Sequence, residues 1–320
     1  MSLAYLLSLE AKDPHSDAIW GVHSSPSSQV ISVSASGQVH AYDSTSGQLS
    51  ISAPAHTLGI VSLSVSPDGK RALYNTIEGL TCLWDLEKNE LAGRWESYQR
   101  KGHGEPAWSV SLNPIGATYA ATGGGGNVSI HSADPSSFGE PQAKLSSGRN
   151  KFGMFCKHSP DGARLALSSE TGQIYIFDLA SSQLTATYTS HAMAVRSLAW
   201  SPDSQLLLSA SEDKRLILHD VRGAGAKGGG AVASLTGHTS WVLSNDISPD
   251  GRLALSGSAD RTAKLWDLSS RACVSTIQDP CAGEVWSVSW QRGPTTGGAS
   301  GFVTGGEDGV VRWWRGAGAA

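Results

Sequence analysis

Short stretches of alternating apolar and polar residues follow one another along the whole chain. In one of them Val61, Leu63 and Val65 alternate with serines, which is typical of a strand with one buried face. Turns rich in proline, aspartate and glycine, such as the Ser-Pro-Asp-Gly turn at 66–69, separate these stretches. Residues Leu3–Leu9 form another stretch, with no basic segment before it and charged residues directly after it, so we interpret it as a strand and not as a signal peptide. The pattern predicts an all-β protein.

One unit of this pattern repeats through the chain. Ser-Pro-Asp-Gly-like turns recur at 66–69, 159–162, 201–204 and 248–251, and later in each unit a strand ends in a pair such as Trp84-Asp85. With two degenerate pairs included, the second members fall at positions 43, 85, 132, 178, 220, 267 and 315. This spacing is close to the roughly 40–45 residues of a four-stranded propeller blade. We therefore predict one domain over residues 1–316, a seven-bladed β-propeller, with a short tail at 317–320.

The predicted ring has to be closed. The seventh unit ends near Arg315, which leaves too little chain for a fourth strand in the last blade. We expect Leu3–Leu9 to supply that strand and so to remove the free sheet edges. The glycine-rich stretches 223–230 and 293–301 are interpreted as flexible surface insertions within this plan.

Composition narrows the classes of function. The formal net charge is −4, only 16% of residues are charged, and no run of Lys or Arg is present, so we expect no direct nucleic-acid binding. No apolar stretch is long enough to cross a bilayer, so we expect no membrane partner. The cysteines form no CxxC pair, and we expect all four to be buried, reduced thiols in a reducing compartment: Cys82, Cys156, Cys273 and Cys281.

Residues that could carry chemistry show no catalytic arrangement. Four of the ten histidines recur at one repeat position, which favours a structural role: His15, His56, His191 and His238. No Gly-x-Ser-x-Gly motif is present, and no Gly-Lys-Ser/Thr follows the glycines at 123–126. We therefore expect no catalytic residue, no metal site and no cofactor.

The repeat resembles the WD-repeat family from about His15 to Arg315, and the sixth unit matches it most fully. The resemblance implies a hydrogen-bonded structural tetrad in this unit, formed by His238, Ser258, Asp260 and Trp266. The fifth unit has His219 in place of the tryptophan, and the third has Gly125 in place of the turn acid. We expect the blades that depart from the pattern to be less rigid.

Within that family, residues 17–22, 190–198, 201–207 and 237–243 are similar to the small WD-repeat subunit of the superkiller complex. In animals and plants this subunit is shared with the RNA-polymerase-associated factor (Paf) complex, and its plant members are vernalization-independence proteins. The resemblance implies a non-enzymatic adaptor in mRNA decay by the cytoplasmic exosome, in transcription elongation, or in both. It implies a monomeric propeller in a hetero-oligomer, found in nucleus and cytoplasm. The implied partners are the tetratricopeptide scaffold and helicase subunits of the superkiller complex and subunits of the Paf complex.

Aligning the units on their Ser-Pro-Asp-Gly turns predicts where partners bind. One position at the start of each first strand should lie at a rim of the central channel, and Trp, Arg and Met are enriched at protein–protein interfaces. The predicted partner-binding rim comprises Trp20, Trp108, Met154, Arg196, Trp241 and Trp286, together with the turn acids Glu170, Glu212 and Glu307. The alternative, that the tryptophans only pack between blades, stays open at this point.

Two other functions remain possible. Some WD-repeat proteins are substrate receptors of cullin ubiquitin ligases and use a Trp-Asp-x-Arg ending, to which residues 219–222 come nearest without the tryptophan. Others are structural subunits of large assemblies, for example ciliary ones, because one fold can serve unrelated partners.

Overall fold

Seven four-stranded antiparallel sheets make up the computed structural model of this protein. The structure describes residues 4–97, 107–222, 230–278, 283–292 and 301–317. Most of both predicted glycine-rich insertions, Leu3, Cys281 and the residues 318–320 of the predicted tail lie outside the described residues. Within this part of the chain every regular element is a strand. The prediction of an all-β, seven-bladed propeller is therefore confirmed.

We number the blades in chain order and their strands outward from the channel. The first strands are β2 (Ile19–Ser24), β6 (Ile60–Val65), β10 (Ala107–Leu112), β14 (Gly153–His158), β18 (Val195–Trp200), β22 (Val242–Ile247) and β26 (Val285–Trp290). The second strands are β3 (Gln29–Ser34), β7 (Arg71–Thr76), β11 (Thr118–Gly123), β15 (Arg164–Ser169), β19 (Leu206–Ser211), β23 (Leu253–Ser258) and β27 (Phe302–Gly306).

The outer strands complete the blades. The third strands are β4 (Val39–Asp43), β8 (Leu80–Asp85), β12 (Asn127–Ser132), β16 (Ile174–Asp178), β20 (Arg215–Asp220), β24 (Thr262–Asp267) and β28 (Val311–Gly316). The fourth strands of blades one to six are β5 (Leu49–Ala53), β9 (Glu90–Glu96), β13 (Pro141–Ser146), β17 (Gln183–Tyr188), β21 (Ala231–Thr236) and β25 (Ala272–Gln278). The fourth strand of blade seven is β1 (Tyr5–Glu10).

Pairing of β1 with β28 closes the ring, as the sequence predicted. The two strands are antiparallel, with Tyr5 opposite Gly316 and Glu10 opposite Arg312. The Arg312 guanidinium, which is buried, pairs with the Glu10 carboxylate at 2.8 Å. Leu9 packs against the core between blades seven and one. Each first strand contacts that of the next blade, and β26 contacts β2, so the first strands form a continuous inner wall.

Serines join the first strands across the seams between blades. In most blades, the hydroxyls two and four residues beyond the start of the strand accept hydrogen bonds from amides of the next blade, as Ser62 does from Val110 and Ser64 from Leu112. The same role is filled by Ser109, Ser111, Ser197, Ser244, Asp246, Ser287 and Ser289, at distances of 2.9 to 3.3 Å. These bonds satisfy donors that have no partner in their own sheet.

The tetrad of blade six exists, but its serine is Ser256 and not Ser258. The Ser256 hydroxyl lies 2.8 Å from Nε2 of His238 and accepts the indole N–H of Trp266 at 2.9 Å. Nδ1 of His238 lies 2.8 Å from the Asp260 carboxylate. Ser258 instead donates to the carbonyl of Trp241. The prediction of Ser258 was wrong because the second and third strands pair so that Ser256, two residues earlier, lies beside the indole.

Hydrogen bonds to Asp260 outweigh its burial. Burial raises the pKa of this carboxyl, but donors from His238, Thr262 and the backbone of Thr239 hold the pKa well below its ordinary value. Asp260 is therefore a charged carboxylate in the folded blade, where it accepts these hydrogen bonds.

Candidate functional site

Each of the seven first strands contains a β-bulge at the same place. At this place the pairing between the first and second strands skips one residue of the first strand, between Ile19 and Gly21 in blade one and between Val195 and Ser197 in blade five. The skipped residues are Trp20, Val61, Trp108, Met154, Arg196, Leu243 and Trp286. A bulged residue has no partner across the ladder, and bulges re-aim side chains. Five of the seven, all except Val61 and Leu243, belong to the partner-binding rim that was predicted from the sequence.

All seven bulged residues line one cavity, the central channel, which has a volume of about 730 Å³. We call the mouth where the first strands begin the upper rim. The opposite mouth is bordered by six of the turn prolines: Pro26, Pro67, Pro114, Pro160, Pro202 and Pro249. Residues from every blade therefore converge on one open space.

The rim tryptophans both pack and remain accessible. Trp20, Trp108 and Trp286 are each half-buried. The ring of Trp108 meets that of Phe152 edge-on with centroids 5.7 Å apart, which ties blade three to blade four. Trp241, just before β22, is 44% exposed. The same tryptophan side chains thus pack between blades and remain accessible at the rim. Aromatic residues at protein interfaces are commonly held in place by such packing.

Arg196 is a positioned cation at the rim. Its Nε donates to Oε1 of Glu212 at 2.7 Å, and its guanidinium carbon lies 5.9 Å from the centroid of the Trp241 ring. The Glu212 side chain is only 13% exposed, whereas that of Arg196 is 30% exposed. The cluster joins blades five and six and leaves the Arg196 side chain partly exposed.

The other predicted acids also lie at the upper rim. Glu170 accepts a hydrogen bond from the backbone N–H of Phe152, directly before β14. Glu307 accepts one from the N–H of Glu284, directly before β26. Burial and the charge of Glu307 raise the pKa of Glu284. Each acid therefore bridges the turn after a second strand to the loop that leads into the first strand of its own blade.

Comparison with known proteins places this architecture in a family. The sequence profile of the WD domain, G-beta repeat, matches residues 182–220, 229–267 and 271–315. Meiotic recombination protein rec14 of Schizosaccharomyces pombe is 35% identical over 264 residues, which cover 82% of this chain and 80% of the relative. The chain belongs to the WD-repeat family. Each matched repeat runs from the fourth strand of one blade to the third strand of the next, so a WD-repeat ring closes only when an N-terminal strand completes the last blade.

Two further WD-repeat proteins are similar over most of their length. WD repeat-containing protein SL1-17 of Schistosoma mansoni is 30% identical over 223 residues, covering 66% of this chain and 69% of the relative. WD repeat-containing protein VIP3 of Arabidopsis thaliana is 32% identical over 228 residues, covering 65% of this chain and 68% of the relative.

Sequence reasoning missed three apolar residues at the upper rim of this WD-repeat propeller. Leu58, Ile77 and Met193 are exposed by 42 to 46%. Leu58 and Met193 precede the first strands of blades two and five, and Ile77 follows the second strand of blade two. For Leu58 and Met193 the signal was an apolar residue three positions before the aligned position of the first strand, whereas Ile77 lies in the turn after a second strand.

Three further findings in the described residues concern the cysteines, a metal site and membrane-spanning helices. Cys82 and Cys156 are buried thiols whose pKa burial raises, to about 11 and about 12, but the expectation of a buried Cys273 was wrong because it lies exposed on the outer strand β25. In the described part of the chain no group of three or more His, Cys, Asp or Glu side chains is placed to hold a metal ion. No helix there is long and apolar enough to cross a bilayer.

Proposed function

We propose that this WD-repeat protein is a non-enzymatic adaptor that binds segments of other proteins at its upper rim. The observation that carries the proposal is the ring of seven β-bulges, which turns a residue of every blade toward one mouth of the channel. Three of these residues are tryptophans, and a Met and an ion-paired Arg accompany them. Half-buried aromatic residues and arginine are the residue types that dominate the binding energy of protein interfaces.

The chemistry of the rim indicates the kind of segment that binds. Exposed apolar surface from Leu58, Ile77, Met193 and Trp241 lies at the mouth in blades two, five and six, and it calls for an apolar or aromatic anchor on the partner. Glu170 and Glu307 lie exposed at the same rim, which favours a segment that also carries basic residues.

For the complex that contains the protein, we propose the superkiller complex, the Paf complex, or both. The partners would be the tetratricopeptide scaffold and helicase subunits of the former and subunits of the latter, in cytoplasm and nucleus. Support comes from the four stretches that resemble the shared subunit, and from the similarity to VIP3, whose name fits the plant members of that subgroup.

A role in meiotic recombination is the second candidate. It is favoured by the relative from fission yeast, which is named a meiotic recombination protein and matches the largest part of the chain among the three relatives described. The same rim would serve in that assembly, because a propeller presents one surface to whichever segment fits it.

Affinity purification of the tagged chain from native extract, followed by mass spectrometry, tests these proposals. We expect Trp241→Ala, and the triple replacement of Trp20, Arg196 and Trp286 by alanine, to lose the co-purifying proteins. The matched control is Ile115→Ala, because Ile115 is 74% exposed in the turn after β10, at the opposite mouth. Thermal melts show whether each variant is folded, and Trp241→Ala should melt like the wild type.

The outcomes separate the candidates. Co-elution with a helicase and a tetratricopeptide scaffold supports the superkiller role, and co-elution with elongation factors supports the Paf role. Recovery of recombination proteins from meiotic cells alone supports the second candidate. Full retention of partners by both rim variants, with loss in Ile115→Ala, would move the interface to the other mouth and contradict the adaptor rim.

A further inference from the structure

The lower half of the channel differs from the upper rim in its charge. Three residues beyond each bulge, the first strand carries a side chain that faces the seam with the next blade. In blades two, three, six and seven this side chain accepts a hydrogen bond from an amide of the next blade: Ser64, Ser111, Asp246 and Ser289. In blades one and four the equivalent residues are His23 and Lys157. A charged lysine cannot accept a hydrogen bond from an amide of the next blade, and neither can a histidine nitrogen that carries a hydrogen.

His23 and Lys157 are directed into the channel without a protein partner. Both line the central cavity, and no hydrogen bond or ion pair to the His23 ring or the Lys157 ammonium is found among the described residues. Arg292, which follows β26, lines the same cavity. One of its nitrogens lies 2.9 Å from Oδ1 of Asp246. Three basic side chains from blades one, four and seven thus enter one space.

The positive charge there is not balanced. Among the described residues that line the cavity, Asp246 is the only acid, and it already faces Arg292. Burial, and then the charge of Arg292, lower the pKa of Lys157, and the charge of Asp246 offsets part of this effect. Burial, and then Arg292 and Lys157, lower the pKa of His23 well below its ordinary value. All three groups line the same cavity, in which the charge of Arg292 acts on both His23 and Lys157.

Backbone donors accompany the side chains. In blade two the amide of Val65, and in blade five that of Trp200, are equivalent to the amides that serines cap elsewhere. His23 and Lys157 stand where the capping serines would be, and no side-chain acceptor for these two amides is found within the described residues. Backbone N–H groups that converge beside cations help to bind anions.

We propose that the lower half of the channel binds a small oxyanion of the phosphate class through Lys157, Arg292 and the ring N–H of His23. The donors approach from blades one, four and seven, so an acceptor with oxygens on all sides suits them better than a two-oxygen carboxylate. Guanidinium and ammonium groups both bind phosphate, the first with paired donors and the second as a point charge. The anion can be free phosphate or the phosphate group of a small metabolite.

The test uses the full chain in thermal melts at constant ionic strength. We expect millimolar inorganic phosphate, replacing chloride, to raise the melting temperature saturably by about 2–4 °C through preferential binding to the folded state. Glycerol 3-phosphate distinguishes the sources: a larger rise than with inorganic phosphate assigns the site to a phosphate monoester, and a smaller rise assigns it to the free ion. Acetate should produce no saturable rise.

Two variants locate the site, and a third is the control. Lys157→Met should lose the rise, and Arg292→Gln, at a side chain that is 41% exposed and so tolerates change, should weaken it. Lys88→Met should keep it, because Lys88 pairs with Glu90 on the outer side of blade two. The proposal is overturned if phosphate gives no saturable rise, if acetate gives the same rise, or if Lys157→Met and Arg292→Gln both keep the full effect.

Discussion

Nε2 of His219 lies 3.0 Å from Oγ of Ser209. The same hydroxyl lies 2.8 Å from Nε2 of His191, whose Nδ1 lies 2.9 Å from the carboxylate of Asp213. In blade six the corresponding hydroxyl belongs to Ser256 and takes its second bond from Trp266. An imidazole therefore performs in blade five the role of the indole in blade six, while Nδ1 of His219 is buried without a hydrogen-bond partner among the described residues. The expectation that the blades departing from the pattern are less rigid stays a prediction.

Removing the shared hydroxyl should destabilise either blade. In Ser256→Ala the buried His238 and the indole of Trp266 both lose their partner, and each buried group left unpaired costs about 1–3 kcal/mol. We expect Ser256→Ala and Ser209→Ala each to lower the free energy of unfolding by about 2–4 kcal/mol. Urea unfolding measures this loss.

The control for this experiment is Ser269→Ala. Ser269 bonds to Asp267 in an exposed turn, so its replacement should cost less than about 1 kcal/mol. Equal losses in the control and in the two tetrad variants would show that the networks add no stability of their own.

Ring closure can be tested within β1 by two leucines. Leu9 packs against the core between blades seven and one, whereas Leu6 on the same strand is 53% exposed. We expect Leu9→Ala to lower the free energy of unfolding by about 1–3 kcal/mol and Leu6→Ala to change it by less than about 0.5 kcal/mol. Deletion of residues 1–10 should lower the melting temperature far more than either replacement. A melt unchanged by the deletion would contradict closure by β1.

Buried histidines should make the protein labile to acid. Burial lowers the pKa of His15, His158 and His219 to about 3 each. The unfolded chain takes up these protons below about pH 6.5, and the folded protein does not. Their contribution is therefore fully present above about pH 6.5 and is lost as the pH falls toward 3.

Replacing one of these histidines measures its share. Between pH 6 and pH 4, His158→Leu should reduce the slope of the free energy of unfolding against pH by up to about 1.4 kcal/mol per pH unit, one proton's worth. Urea unfolding at several pH values gives both slopes. Parallel slopes for variant and wild type would mean that the folded protein protonates His158 in this range.

Much of the fold could be predicted from the sequence because its signals are local and repeated seven times. Turn chemistry, the aromatic-Asp endings and the spare strand at Leu3–Leu9 all have a one-dimensional signature. The choice between Ser256 and Ser258 had none, because it depends on the register of β23 against β24. The exposure of Cys273 likewise follows from its place on an outer strand.

The rim was predicted in part. Alignment on the turns found the bulged positions, because a bulge lies at a constant distance from the turn that follows it. It could not show that Leu243 is buried while Trp241 is 44% exposed, nor that Arg196 pairs with Glu212. Those properties depend on how neighbouring blades pack, and packing partners are far apart in the chain.

The seven bulges also separate the residues that determine strand pairing from the residues that determine what the rim binds. A bulged residue has no pairing partner in the second strand, so it contributes little to strand register. It can therefore be tryptophan in one blade and valine or arginine in another while the sheet stays the same. Descendants of such a protein can acquire new binding preferences by single replacements at Trp20 or Met154 and still fold. The rim can therefore change its binding preferences while the ring of blades keeps its fold.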